Sequence, residues 1–442
     1  AEDHVLSMPD INNSILAEAY YTKQWEGFEN ADYNVVAAQV TVTFALQVRE
    51  GENGTWQDAK QYLDAKFPGH TLNLAPKTVT EPINDTEAWS EIRLFAENLP
   101  AGVKVDNEVL SLAYRVVETR IVIGDIAYTV SVGDASSNDY VINIDEGEGY
   151  TIDGRFEMST DGRVTRSINT LDTTTLTVSK TWANDHGDYF GTRPFPDGQY
   201  GKRWKVDVLV QQSADEGATW TPVYAFNADG SDSPLVLSIE AGKSASSDTA
   251  PIIRGLPRQN AQGVALSYRA VELQVGPQKD VVDEGGTFYQ NYTTSYAHGG
   301  SADTGFTSDI TNTLRGTEIL VEKQWENNPP ETARKPVKLR LQYNNGAGMK
   351  DTKLDLKLDG KVDASPGQAA EYEAWKGRFS DLPVYMPNED GTLPAKETDY
   401  GVRERTPPTG VQFVEVSQST GPDDKPLFTF VNRLTASITW TQ

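Results

Sequence analysis

One ordered pattern of three residue types occurs three times along this chain. A lysine stands two residues before a tryptophan, as Lys23 before Trp25, Lys180 before Trp182 and Lys323 before Trp325. A tyrosine-led alternating stretch then ends on a glutamate, from Tyr114 to Glu118, Tyr268 to Glu272 and Tyr400 to Glu404. An asparagine follows near the close of each unit, as Asn169, Asn312 and Asn432. Asn169 and Lys180 are eleven residues apart, and so are Asn312 and Lys323. The last strand of one unit therefore leads straight into the first strand of the next. Such self-similarity is the mark of an array of like domains.

The local pattern is β throughout. Val40 to Phe44, Trp204 to Val210 and Val337 to Leu341 alternate with period two, as half-buried strands do. Gly, Pro, Asn and Asp punctuate these runs. One helix is expected, near Thr55 to Ala65, inside an insertion. Many short strands between turns give an all-β reading of three tandem β-sandwich domains, head to tail. The units are residues 1–171, carrying long insertions, then 172–315 and 316–434. Residues 435–442 are expected to begin a further repeat or to form a terminal strand, because Ala436 to Gln442 resembles the run leading into Lys23. A second landmark fixes the register. A Leu-Pro pair precedes each Tyr-to-Glu stretch, at Leu99-Pro100, Leu256-Pro257 and Leu382-Pro383. Trp89 and Trp375 lie just upstream in the outer units, with no counterpart there in the middle one.

Composition narrows the function. The net charge is −25, which opposes nucleic-acid binding because phosphate contacts need concentrated Lys and Arg. There are no cysteines, so disulfides, thiolate metal sites and thioesters are excluded. The four histidines are scattered without metal-ligand spacing; no cofactor and no metal site is expected. No apolar run is long enough for membrane insertion. The acidic clusters Asp145 to Glu148 and Asp280 to Glu284 sit in turn-like stretches and read as solvated loops. No carboxylate pair stands out for glycoside hydrolysis, so the chain is not expected to turn over a substrate.

An amine, a carboxyl and a carboxamide in every unit is the set required for an internal Lys–Asn amide. Lysine Nζ would attack the asparagine Cγ and expel ammonia. Only the neutral amine is nucleophilic, and burial in an apolar pocket lowers the lysine pKa. The same burial raises a carboxyl pKa, giving an acid able to polarise the carbonyl and move protons. Contact between the groups supplies a large effective molarity. The predicted cross-links are Lys23–Asn169, Lys180–Asn312 and Lys323–Asn432, assisted by Glu118, Glu272 and Glu404. This is chemistry the protein performs on itself. Placing the lysine on the first strand and the asparagine on the last would tie together the two ends of each domain.

At this point the chain resembles the CnaB-type domains of Gram-positive pilins and collagen-adhesin stalks. The third unit carries the likeness in Ile319 to Trp325, Arg334 to Leu339, Phe379 to Pro383, Tyr400 to Glu404 and Phe430 to Asn432. Leu176 to Trp182, Arg193-Pro194, Tyr268 to Glu272 and Ile310 to Thr313 carry it in the second. Lys23 to Trp25, Leu99-Pro100, Tyr114 to Glu118 and Ile168 to Thr170 carry it in the first. No single motif is specific; the ordered set is. The resemblance implies an inverse immunoglobulin-like sandwich and a spontaneous isopeptide bond. It also implies an extracellular, cell-wall-attached location and a role as a structural segment of a pilus or adhesin stalk. The implied partners are neighbouring pilin or adhesin domains, with host matrix or cell-surface ligands further out. A pilus shaft subunit and a stalk segment of a single-chain adhesin both remain open. The alternative is direct capture of a host ligand by first-domain insertions, chiefly Glu26 to Val35 and Glu50 to Thr86, since loops on scaffolds often carry binding.

Overall fold

A computed structural model describes residues 16–105, 108–133, 138–195, 204–227, 229–240, 251–274, 280–283, 290–346, 348–364 and 366–435. The tail resembling a further opening strand, Ala436 to Gln442, lies outside the described residues. The described chain is built of β-strands, with short helices in the first third and short 3-10 turns near its C-terminal end. Among the described residues its main cores are three clusters of buried side chains, with a small fourth formed by Leu209, Val271 and Leu273 in the second unit. Each is enclosed by strands from one of the expected units.

The three cores share one strand plan. An opening strand carries the Lys-x-Trp motif: Leu16–Glu26, Thr173–Ala183 and Gly316–Trp325. It pairs in parallel with the closing strand that carries the asparagine: Val164–Leu171, Gly305–Leu314 and Pro426–Leu434. On its other edge it pairs antiparallel with the Leu-Pro strand: Arg93–Pro100, Ile252–Pro257 and Lys376–Pro383. Parallel neighbours cannot be joined by a tight turn. Here the whole of the domain between them serves as the crossover. The glutamate strand, Glu108–Ile123, Ser267–Glu272 or Asp399–Glu404, lies across the core and pairs with a long central strand: Val40–Glu50, Lys205–Ser213 or Val337–Asn344. Between units the chain spends one residue, Asp172 or Arg315, outside strands.

Period-two alternation produces this layering. The opening strand Leu16–Glu26 buries Ala19, Tyr21, Lys23 and Trp25 and turns the intervening residues outward. The facing strand Val40–Glu50 buries Val40, Val42, Phe44, Leu46 and Val48. Tyr21 stacks on Phe44 with ring centroids 4.3 Å apart.

The first unit departs from two separate sheets. Strands Ile126–Val132 and Asp139–Ile144 continue from Glu108–Ile123 to Ile152–Met158 and the closing strand, so both layers belong to one wrapped sheet. Its insertion also folds on the sheet. Lys77–Glu81 pairs with Val40–Glu50. Helix Ala59–Lys66 starts where Asp58 accepts the Gln61 N–H at 2.8 Å, which caps an otherwise unpaired donor. The helix expected near Thr55 to Ala65 is thus present, shifted by the position of this cap. A second helix, Thr86–Ser90, carries Trp89 into the core.

Candidate functional site

Strand pairing decides which side chains meet. In every unit the tryptophan is the register partner of the asparagine: Trp25 with Asn169, Trp182 with Asn312 and Trp325 with Asn432. The lysine lies two residues earlier on the opening strand, so it shares the core face with the tryptophan. Lysine and asparagine are therefore diagonal neighbours on adjacent strands, inside the sandwich. The lysines are 0%, 5% and 3% exposed, and all three asparagines are 0% exposed. A buried lysine is exceptional among lysines, and here it occurs three times at one position.

The glutamate reaches both partners from the opposite layer. Glu118 Oε1 is 3.4 Å from Lys23 Nζ, while its Oε2 accepts from Asn169 Nδ2 at 2.9 Å. Glu272 Oε2 is 3.4 Å from Lys180 Nζ, and its Oε1 accepts from Asn312 Nδ2 at 3.2 Å. Glu404 Oε2 is 4.0 Å from Lys323 Nζ, and its Oε1 accepts from Asn432 Nδ2 at 2.7 Å. One oxygen faces the amine and the other faces the amide nitrogen in all three units. The sequence-predicted site residues are all brought together. The amide faces the acid through its nitrogen rather than through the carbonyl expected from sequence. The carbonyl oxygens of Asn169, Asn312 and Asn432 have no hydrogen-bond partner, although they are buried. Nor do the lysine-facing oxygens of the three glutamates. Those glutamate oxygens face an amine, but a buried carbonyl oxygen with no partner is costly in each unit.

Burial pushes the pKa of Lys23, Lys180 and Lys323 down to about 8 each, against the opposing pull of the adjacent glutamate charge. Burial also raises the Glu404 carboxyl, outweighing the hydrogen bond from Asn432 and the charge of Lys323. Each amine sits over its neighbouring indole, 4.2, 4.5 and 5.2 Å from the ring centroid. A second tryptophan meets that indole edge-on. Trp89 does so in the first unit at 6.3 Å and Trp375 in the third at 5.6 Å. The middle unit, which lacks a tryptophan at that sequence position, uses Trp204, the residue just before its central strand, at 5.3 Å.

The Leu-Pro and Tyr-to-Glu landmarks form one contact. Tyr114, Tyr268 and Tyr400 donate their hydroxyls to the carbonyls of Pro100, Pro257 and Pro383 at 2.7, 2.6 and 2.6 Å. Each tyrosine is four residues before its glutamate, on the same face, so this bond fixes the register of the acid. Other supports escaped the sequence reading. Thr165 and Ser308, each four residues before the asparagine, accept backbone N–H groups of the glutamate strand, from Val116 at 3.0 Å and Ala270 at 2.8 Å. Phe428 takes that position in the third unit and packs in its core. Tyr140 and Tyr296 accept the backbone N–H groups of Glu118 and Glu272, both at 3.2 Å. A hydroxyl four residues before the asparagine was the available signal. The tyrosines lie on strands with no fixed offset from the triad and left none.

No family model matches this chain, and no curated relative matches it. Among solved structures it is similar to two B repeat units of the collagen-binding protein of Staphylococcus aureus, at 17% identity over 95% of this chain and 76% of that one, with a TM-score of 0.19. It is similar to the major pilin from Streptococcus pyogenes, at 15% identity over 68% of this chain and 99% of that one, with a TM-score of 0.26. The pilus adhesin SpaC from Lactobacillus rhamnosus GG, in its open conformation, is 13% identical over 97% of this chain and 44% of that one, with a TM-score of 0.24. Scores and identities this low carry no functional argument. The sandwich assignment rests on the strand pairing above.

Proposed function

We propose that this chain is a structural segment of a Gram-positive surface fibre, pilus or adhesin stalk. Its sandwiches, residues 1–171, 172–315 and 316–434, are each closed by an autocatalytic Lys–Asn amide. The observation that carries the reading is the threefold burial of a lysine and an asparagine astride one carboxyl group, with the asparagine carbonyl oxygen left without a partner.

A proton passes from lysine Nζ to the facing glutamate oxygen, giving a neutral amine beside a neutral acid. A low-dielectric core favours that neutral pair over the ion pair. The amine lone pair then attacks asparagine Cγ, and a tetrahedral carbon forms. The glutamate, hydrogen-bonded to Nδ2, delivers a proton to that nitrogen. The Cγ–Nδ2 bond breaks, ammonia leaves, and Nζ becomes the nitrogen of a new secondary amide. Nζ gives up its remaining surplus proton to the glutamate, leaving it as the neutral acid formed in the first step; passing that proton to the departing ammonia, which leaves the core as ammonium, restores the carboxylate. The acid thus moves protons on both sides of the reacting carbon without being consumed.

The mechanical consequence follows from topology. Opening and closing strands are parallel neighbours joined near their ends. Tension entering by one and leaving by the other would pass through the amide, leaving the rest of the sandwich unloaded. Tandem mass spectrometry of a denatured digest tests the reading. It should give branched peptides joining Lys23 to Asn169, Lys180 to Asn312 and Lys323 to Asn432. Unbranched peptides containing all six residues would refute it. Part of the insertion between Glu26 and Val35 is turned onto the second unit's core. That placement favours the structural reading over ligand capture by this segment.

A further inference from the structure

Two backbone features recur outside the triads. The residue two after each motif tryptophan, Gly27, Asn184 or Asn327, has a φ of 97°, 61° or 61°. It turns the chain off the end of the opening strand. The residue before each Leu-Pro pair, Asn98, Gly255 or Asp381, has a φ of 58°, 74° or 51°. There the Leu-Pro strand slips register against the opening strand. Gly, Asn and Asp are the residues that tolerate this left-handed conformation.

The first feature of one unit meets the second feature of the next. After Gly27, Phe28 and Ala31 close on Gly255, where an added Cβ would come within 3.0 Å of both. Tyr33 and Val35 pack against the second core. The Asn34 carbonyl accepts the Phe226 N–H at 2.8 Å, while the Asn34 amide is held by the carbonyls of Ala37 and Ala38. After Asn184, His186 Nε2 lies 2.9 Å from Asp381 Oδ2, and Phe190 packs against the third core. The second junction has a further clamp. Asn291, fully buried, donates from Nδ2 to the Tyr385 carbonyl at 2.7 Å and accepts the Tyr385 N–H at 2.8 Å. Its side chain thereby pairs with backbone of the next unit as another strand would.

We propose that these contacts are one repeated joint. The loop after each motif tryptophan seats on the left-handed bulge of the following sandwich and fixes its orientation. The first-unit insertion after Glu26 is then part of the joint. A one-residue linker alone limits the separation of two domains, but not their swing. A loop seated away from the linker supplies a second point of contact, and two points define an angle. The proposal rests on the division into three sandwiches and is independent of the cross-links.

The absence of cysteines makes the test direct. Ala218→Cys and Lys361→Cys, at exposed positions of the second and third units, carry a pair of spin labels, and pulsed electron resonance reads their distance distribution. The parent should give one narrow peak. His186→Ala with Phe190→Ala should at least double its width, and Asn291→Ala should widen it further. The His186 and Phe190 changes sit on a loop outside the second core, so they keep the test valid if Asn291→Ala disturbs folding. A broad distribution in the parent, or an unchanged width in the loop variant, would overturn the joint. Weighing the same samples reports the cross-links separately, so the two ideas fail independently.

Discussion

Removing the electrophile from one unit should uncouple its stability from that of the others. In Asn432→Ala no amide can form, and the loop from Lys323 to Asn432, a separation of 109 residues, is open in the unfolded chain. On the chain-entropy relation used for disulfides, a loop of that length contributes about 5 kcal/mol. The relation is logarithmic in length. The larger separations of 146 and 132 residues in the other units therefore give nearly the same figure. Unfolding entropy near 2.1 cal/mol/K per residue makes about 0.25 kcal/mol/K for a unit of this size, so the melting temperature should fall by roughly 20 °C. The substitution also leaves the Glu404 oxygen without the amide donor that contacts it at 2.7 Å, and beside a buried amine. A companion variant, Lys323→Met with Glu404→Leu and Asn432→Leu, removes the amine, the acid and the amide together and leaves none of them buried without a partner. The part of the loss shared by both variants belongs to the cross-link. Calorimetry reads the result: one transition should move down by this amount while the transitions of the other units stay in place. A shift of only a few degrees in both variants would refute the loop-closure reasoning.

Three further outcomes follow from the same geometry. In Asn432→Ala the Lys323 amine stays titratable, with its pKa depressed from 10.5 to about 8 by burial. The unfolded state then binds more protons between those values, so stability should rise as pH rises through that window. The parent, with its amine consumed, should lack this slope in urea melts. Unreacted protein refolded from a denatured, newly made chain should cross-link more slowly as pH climbs above about 8, because the glutamate–lysine pair then loses the proton it shares; time-resolved mass spectrometry reads the rate. Tyr400→Phe removes the 2.6 Å bond to the Pro383 carbonyl and leaves that carbonyl buried. It should cost about 1–3 kcal/mol in a chemical melt, and it should slow amide formation in the third unit by loosening the register of Glu404.

The triads were legible from sequence because parallel pairing of opening and closing strands keeps Lys, Trp and Asn at fixed offsets. The equal eleven-residue junctions reflect one closing strand, one linker residue and one opening strand. Period-two alternation likewise exposed the strands, and it placed Lys23 on the face of Tyr21 and Trp25. What escaped was contact between elements far apart in sequence. Leu-Pro and Tyr were visible as landmarks, but nothing in their spacing said that a hydroxyl bonds a carbonyl across 14, 11 or 17 residues. Trp204 was missed as the middle unit's second indole because a different segment, the residue just before the central strand, brings it to the same place. The single wrapped sheet of the first unit depends on Ile126–Val132 and Asp139–Ile144 bridging two layers, which alternation alone cannot distinguish from a hairpin at one edge. The length of the insertion after Glu26 allowed a ligand loop as the alternative; that Tyr33 and Val35 pack against the neighbouring unit's core depends on a contact between units that sequence spacing does not show.

The central claim concerns covalent bonds, and intact mass measures them directly. Protein unfolded in acid and weighed whole should be lighter than the mass of its sequence by three ammonias. Glu118→Ala, Glu272→Ala and Glu404→Ala should each restore one. A parent protein at the full sequence mass would contradict the account.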